Sequence, residues 1–248
     1  PVEHRIPADR ALLRESAAAL QGELSRLDFL YVSHLRVLAE SLARGDGLDR
    51  VKEAASNLHG VAHVAILPRR GPRSTSVKLD TLGSPPPEPE FTLNDRRSAS
   101  PFAFPVPRSR VFGDDEKSPL PTEVDGWLGK PGDAWLAWWK REGDAYAVVF
   151  VVRGAAVRTA IDRHLTGMLP PVWAPVRAAG GLDRLEAPDR QVLAGVQNPP
   201  DKTPDFIVPL ASRLGDWQIV SWDRWETRLA WHLPTLIVAG TLAVGLAL

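Results

Sequence analysis

Cysteine is absent from the 248 residues. That excludes disulfides, thiolate metal sites and a cysteine nucleophile. It suits an extracytoplasmic domain without requiring one. Excess charge is lacking too. Thirty basic and thirty acidic side chains leave a formal net charge of zero, which argues against general nucleic-acid binding, since covering phosphates takes a basic surface. There is no Walker loop, no dinucleotide fingerprint and no nucleophile elbow. No histidine stands in a persuasive catalytic context. No catalytic residue, no metal and no cofactor is therefore assigned, and the segment reads as non-enzymatic. An initiator Met and a signal sequence are missing at Pro1, so the chain is expected to continue upstream, with another membrane span there.

Long apolar runs are lacking until the end of the chain. Leu233 to Leu248 (LPTLIVAGTLAVGLAL) carries no charge. A bilayer core of about 30 Å takes roughly 20 apolar residues in a helix, so this run reads as the first part of a transmembrane helix, cut off within its span. Trp222, Trp225 and Trp231, with Arg224 and Arg228, make the aromatic and basic collar expected of a membrane anchor. Gly240 and Gly245 suit a membrane helix better than a soluble one, where each costs about 1 kcal/mol relative to Ala. A buried core helix is the competing reading.

What is plentiful is proline, with 23, and tryptophan, with nine. Length suits one large or two small domains. Ala8 to Arg44 is predicted as a long helix, capped by Asp9 and ended by Gly45 and Gly47. Leu13, Ala17, Leu20, Leu24, Leu27, Tyr31 and Leu38 fall at heptad spacing, with His34 in the missing step. Leu13, Leu20, Leu24, Leu27, Tyr31 and Leu38 are accordingly the expected seam of a parallel homodimer. The alternative is a long helix laid on its own sheet.

A short helix over Asp46 to Leu58 and a buried strand over Val61 to Leu67 (VAHVAIL) follow. Twelve prolines crowd Pro68 to Pro131, where only Ser76 to Leu82 and, more weakly, Phe102 to Val106 look like strands. A long irregular stretch of this kind serves as a lid, a partner-binding loop or a poorly ordered insertion. Ala134 to Arg141 (AWLAWWKR) and Ala145 to Val152 (AYAVVFVV) form a hairpin around Glu142-Gly143-Asp144. Trp135, Ala137 and Trp139 share one face of its first strand; Leu136, Trp138 and Lys140 share the other. The second strand is apolar throughout and is expected at the sheet centre. Gly154 to Leu165 is an amphipathic helix. Val172 to Arg177 reads as a broken strand, Leu182 to Glu186 as a strand, and Asp189 to Val196 as a short helix or turn. Phe206 to Ser212 and Trp217 to Trp222 are strands, after which Asp223 caps a helix running into the apolar tail.

Aromatics on a sheet often line a ligand pocket, with a polar group fixing orientation. The candidate ligand residues are Trp135, Trp138, Trp139, Lys140, Asp144, Tyr146 and Arg153, against the alternative that the tryptophans are core. His59 and His63 have the four-residue spacing of a helical metal pair, but Gly60 and Val61 break that helix. Gly113-Asp114-Asp115-Glu116 reads as a solvated acidic turn rather than a cation site.

The order of elements resembles extracytoplasmic sensor domains of the Cache and PAS-like type, found in bacterial sensor histidine kinases, chemoreceptors and membrane-bound cyclases. Four features carry the resemblance. They are the long first helix, the strand after a short helix (HGVAHVAIL), the hairpin and helix (WLAWWKREGDAYAVVFVVRG), and a terminal PLxxxxGDWQIxxW hairpin before the apolar tail. The resemblance implies an α+β fold with a long N-terminal helix packed on antiparallel sheets, and a C-terminal helix entering the membrane. It implies a periplasmic sensor of an unknown small-molecule or protein ligand in the bacterial inner membrane, signalling by helix displacement, with any kinase output beyond Leu248. The amino-acid-binding signature of some Cache domains is not found here. The expected divisions are a signalling and dimer helix (1–45), a sensor module (46–169) with its Pro-rich insertion (68–131), membrane-proximal strands (170–222) and a juxtamembrane segment (223–248). A membrane-anchored scaffold that binds a protein through the Pro-rich loop is the alternative.

Overall fold

The computed structural model describes residues 5–70, 75–79, 85–92, 103–113, 119–178, 182–198, 201 and 203–222. It is α+β, with a long N-terminal helix and antiparallel sheets. The chain divides into two compact units. One comprises Glu23–His164 with Ala211–Asp216; the other comprises Pro1–Gly22, Leu165–Leu210 and Trp217–Leu248. Helix α1 (Arg5–Ala43) runs through both, as does α4 (Gly154–Ala178).

The first unit is built on a five-stranded sheet. Helix α2 (Leu48–Ser56) leads to β1 (Val61–Pro68), followed by β2 (Thr75–Lys78). The insertion supplies β3 (Glu88–Thr92), β4 (Ala103–Pro107) and α3 (Arg108–Phe112). The sheet resumes with β5 (Asp125–Leu128), β6 (Trp135–Glu142) and β7 (Tyr146–Arg153). The order is β2-β1-β7-β6-β5, with antiparallel neighbours throughout. The hairpin and the central place of its apolar second strand are as expected from sequence. Gly60 at the entry to β1 has φ +83°, and a Cβ there would stand 2.7 Å from Val157 Cγ2 and 3.0 Å from the Arg153 carbonyl oxygen. Only glycine combines that backbone with that approach.

Both faces of this sheet are covered. On one, Leu67, Ala137, Trp139, Ala147, Val149 and Val151 pack with Val106, Val111 and Phe112 of the insertion. On the other lie α1 residues: Tyr31 stacks on Trp127 at 6.3 Å, Arg36 Nε meets Asp125 Oδ2 at 2.7 Å, and Glu40 stands 3.8 Å from Lys140 Nζ. Val106, Val111 and Phe112 of the Pro-rich stretch are thus built into the core, while Leu120 and Val124 stay exposed. The described parts of the stretch include three elements the sequence did not suggest, β3, α3 and β5. The β3–β4 pair is parallel, and the prolines at 89, 105 and 107 suit a short ribbon in which few ladder donors are needed.

The second unit carries a four-stranded sheet, order β10-β11-β8-β9. Its strands are β8 (Leu182–Glu186), β9 (Val192–Gly195), β10 (Phe206–Ala211) and β11 (Asp216–Trp222). Leu185, Leu210, Trp217, Ile219 and Val220 are buried. One sequence expectation fails here and another holds only in part. Val172 to Arg177 is not a strand but lies within α4, although Pro170 and Pro171 deny the helix two N–H donors. Leu165, Leu169 and Trp173 continue the spacing of Val157 and Ile161 and are all buried, and that burial offsets the loss. Asp189 to Val196, read as a short helix or turn, begins with a turn and continues as β9, a strand not expected there. Arg190 takes φ +69° in that turn, and the Ala187 N–H donates to the Gln191 carbonyl at 2.9 Å.

Among the described residues no helix is long and apolar enough to cross a membrane. Leu233 to Leu248, with Trp225 and Trp231, lies outside them.

Candidate functional site

Strand alternation decides where the candidate ligand residues go. Trp135, Trp139 and Arg153 point to the face covered by the insertion, while Trp138, Lys140 and Tyr146 belong to the opposite face. They do not converge on one pocket. Trp138 is fully buried against Phe150, with ring centroids 6.0 Å apart. Lys140 is held by Glu142 and lies near Glu40. Asp144 sits exposed at the hairpin turn, 3.5 Å from Arg69 Nη1.

The insertion-covered face is where aromatic and basic groups do gather. Arg153 lies over the Trp135 ring at 5.0 Å, Arg69 over Phe112 at 5.8 Å and Arg108 over Phe91 at 5.9 Å. Each pair places a guanidinium on the negative face of a ring. Arg141 is buried and donates to the carbonyls of Val111 and Pro121, both at 2.8 Å. Arg108 donates to the Arg69 carbonyl. The insertion is therefore fastened to the sheet through backbone carbonyls, a job suited to the forked guanidinium.

Among the described residues, the buried polar atoms of this layer that lack a hydrogen-bond partner include His63 Nε2, Thr92 Oγ1 and Trp139 Nε1. Such atoms are uncommon, since each forfeits its solvation. The other ring nitrogen of His63 faces the Pro87 carbonyl at 3.3 Å, and burial holds the imidazole pKa below its ordinary value. Sequence reading noticed His63 only as a metal candidate. Its inward position on β1, read from strand alternation, was the signal available. His59 contributes its carbonyl, which accepts the Tyr31 hydroxyl at 2.7 Å. Among the described residues no three His, Asp or Glu side chains are grouped to hold a metal ion. Asp114, Asp115 and Glu116 lie outside them.

The expected dimer seam is turned inward. Leu20 and Leu24 are completely buried, Leu13 and Leu38 nearly so, and Leu27 and Tyr31 are half-buried. Leu13, Leu20, Leu24 and Leu38 are thus covered by their own chain, while Leu27 and Tyr31 keep part of their surface. The heptad spacing marks the stripe by which α1 joins its own fold, the alternative weighed above.

Trp222, read as part of a membrane collar, ends β11 buried, with Arg184 over its ring at 4.9 Å. Farther along β8, opposite Gln218, Glu186 is 2 % exposed and is the hub of a polar cluster. It pairs with Arg184, meets Arg190 Nη1 at 3.2 Å and accepts from Gln218 Nε2 at 2.6 Å. Burial alone would raise its pKa, but the bonds from Gln218, Arg190 and Arg184 outweigh that and lower it.

A scan against protein-family models and searches of curated proteins and of solved structures returned no match to this chain.

Proposed function

We propose that the chain is the ligand- or partner-sensing part of a membrane signal-transduction receptor, a sensor histidine kinase with a sensor domain of the Cache or PAS-like kind. It has no catalysis of its own. Ligand binding would be felt in the layer between the five-stranded sheet and its insertion. The observation that carries this is the set of partnerless atoms there, His63 Nε2, Thr92 Oγ1 and Trp139 Nε1, beside aromatic rings and guanidinium groups. These are the ingredients of a site that orients a small polar molecule through a few bonds. The insertion would act as its cover.

The architecture supports the same reading. All four elements on which the resemblance rests are present: the long helix, the short helix before β1, the β6–β7 hairpin before α4, and the β10–β11 pair. The β10–β11 turn is tied to α1, because Asp28 accepts from Ser212 Oγ at 2.8 Å and from the Arg213 N–H at 3.0 Å. In this reading the domain is periplasmic, and the apolar tail that follows β11 anchors it in the inner membrane and carries the shift to an output beyond Leu248. A ligand can shift such a helix arrangement only by binding one state better than the other.

Two measurements test this. Reading the coding sequence beyond Leu248 should reveal a signalling output such as a kinase; a stop soon after the apolar run would sink the receptor reading. Thermal-shift screening of the chain against metabolites should find a stabilising compound, with the shift diminished by His63→Leu. Stabilisation by no compound would remove small-molecule sensing.

A further inference from the structure

The insertion is fastened to the five-stranded sheet where β3 begins. His63 is fully buried on β1, and its Nδ1 stands 3.3 Å from the carbonyl oxygen of Pro87, the residue before β3. A carbonyl only accepts, so Nδ1 is the donor and carries the proton of the neutral ring. Nε2 is then a bare lone pair, and among the described residues it has no hydrogen-bond partner. A second bond holds the same end of β3, from Ser76 Oγ of β2 to Glu88 Oε1 at 3.1 Å. The far end is held by packing, Phe91 meeting the edge of Phe112 with ring centroids 5.7 Å apart.

A proton can join this ring only at Nε2. There it makes an N–H that meets no acceptor, on a cation taken out of water. The charges nearby pull in opposite senses. Glu88 of β3 eases protonation, and Lys78, paired with His63 across β1 and β2, opposes it. On the β7 side Val151, opposite His63, is apolar, and Arg153, next on that face, lies over the Trp135 ring. Burial outweighs the help from Pro87 and Glu88 and disfavours the cation. We propose that His63 is a proton-sensitive latch on the insertion: when it takes up a proton, β3 lifts from β1 and the covered face of the sheet opens. In the open arrangement the imidazolium is hydrated, so that arrangement binds the proton more tightly and gains population in mild acid. Opening should stay local, because Val148, Phe150 and Val152 remain buried on the other face of the sheet. Release of a ligand from under the insertion in acid is the functional consequence, and that consequence rests on the sensing role; the latch itself does not.

The absence of cysteine lets opening be read one site at a time. Thr92→Cys puts a thiol at a buried position of β3, and Val148→Cys puts one on the other face of the sheet. The full chain in mild detergent would be labelled with a pyridyl disulfide, which reacts in acid. Rates at about pH 7.5 and about pH 5, either side of the ordinary histidine value, would each be divided by the rate of the denatured chain at that pH. Thr92→Cys should label several-fold faster at the lower pH, and Val148→Cys should not. Adding His63→Leu or His63→Gln should abolish the rise, the glutamine keeping a donor for Pro87. Glu88→Gln should enlarge the acid-to-neutral ratio and Lys78→Gln should shrink it, since the first removes a charge that eases protonation of the closed state and the second one that hinders it. No rise at Thr92→Cys, a rise that survives both His63 substitutions, or ratios that move the other way would overturn the proposal. So would an equal rise at Val148→Cys, which is global unfolding. No ligand enters the experiment, so a failed metabolite screen with the rise intact removes the sensing role and leaves the latch.

Discussion

In the five-stranded sheet, β7 is buried at every position from Ala147 to Val152. In the four-stranded sheet, β11 buries Trp217, Ile219, Val220 and Trp222 and leaves the residues between them partly open, while β10 buries only Leu210. The first pattern belongs to a strand covered on both faces, the second to a sheet that still meets water. The consequence is chemical as well as structural. Where both faces are covered, most polar groups must be handed to carbonyls, as Arg141 is, or left without a partner, as Trp139 Nε1 is. Where one face stays open, a carboxylate such as Glu186 can collect several donors and help hold the strands together.

The largest expected effect comes from the apolar centre. Phe150→Ala should cost about 3–5 kcal/mol, read by denaturant titration and by hydrogen exchange of the β6 and β7 peptides. If β11 loses protection equally, the two sheets unfold as one and their contrast has no energetic meaning. Next comes Glu186→Gln, expected to cost about 1–3 kcal/mol at neutral pH through the lost charged hydrogen bonds. Because the pKa of Glu186 is lowered in the fold, its contribution is present above the ordinary carboxylate value near ~4.3. It is lost as pH falls through the lower folded value, so wild type and variant should converge in acid.

His63 gives a smaller and differently placed effect. Its folded pKa is lowered by burial. The stability linked to neutral His63 is therefore present above about 6.5 and declines as pH drops towards the folded value. His63→Leu should flatten the stability profile as pH falls below about 6.5, and a profile unchanged by the substitution would show that His63 is not the titrating group. Smallest is Asp28→Asn, about 1 kcal/mol, since asparagine keeps one acceptor for Ser212 or Arg213. Burial raises the pKa of Asp28, so acidification from neutral pH should favour the wild-type fold through this residue and widen the difference between the two proteins.

Much of the fold was legible because alternation and run length are local. AYAVVFVV announced a central strand, and LDRLE was located to the residue. What escaped was set by tertiary packing. The Pro-Pro at 170 and 171 read as a break, yet burial of Leu169 and Trp173 carries α4 through it. EPEFT and DGWL are too short and too rich in breakers for any period to show. The heptad in α1 was real, but spacing alone does not say whether a stripe meets a second helix or the chain's own interior. The candidate ligand residues were adjacent in sequence and parted by the pleat. The partnerless atoms of His63, Thr92 and Trp139 come from three different strands, and no local pattern could have joined them.

The place of β7 also bears on how the chain is made. Strand β1 pairs on one side with β2, which follows soon after, and on the other with β7, which arrives only after β3 to β6. During synthesis α1, β1 and β2 are therefore complete long before the strand that seals them exists. Non-local pairing of this kind slows folding and leaves apolar surface uncovered in the interval. A ribosome-bound chain halted before Tyr146 should be open to protease and to chaperones, and one extended past Arg153 should close.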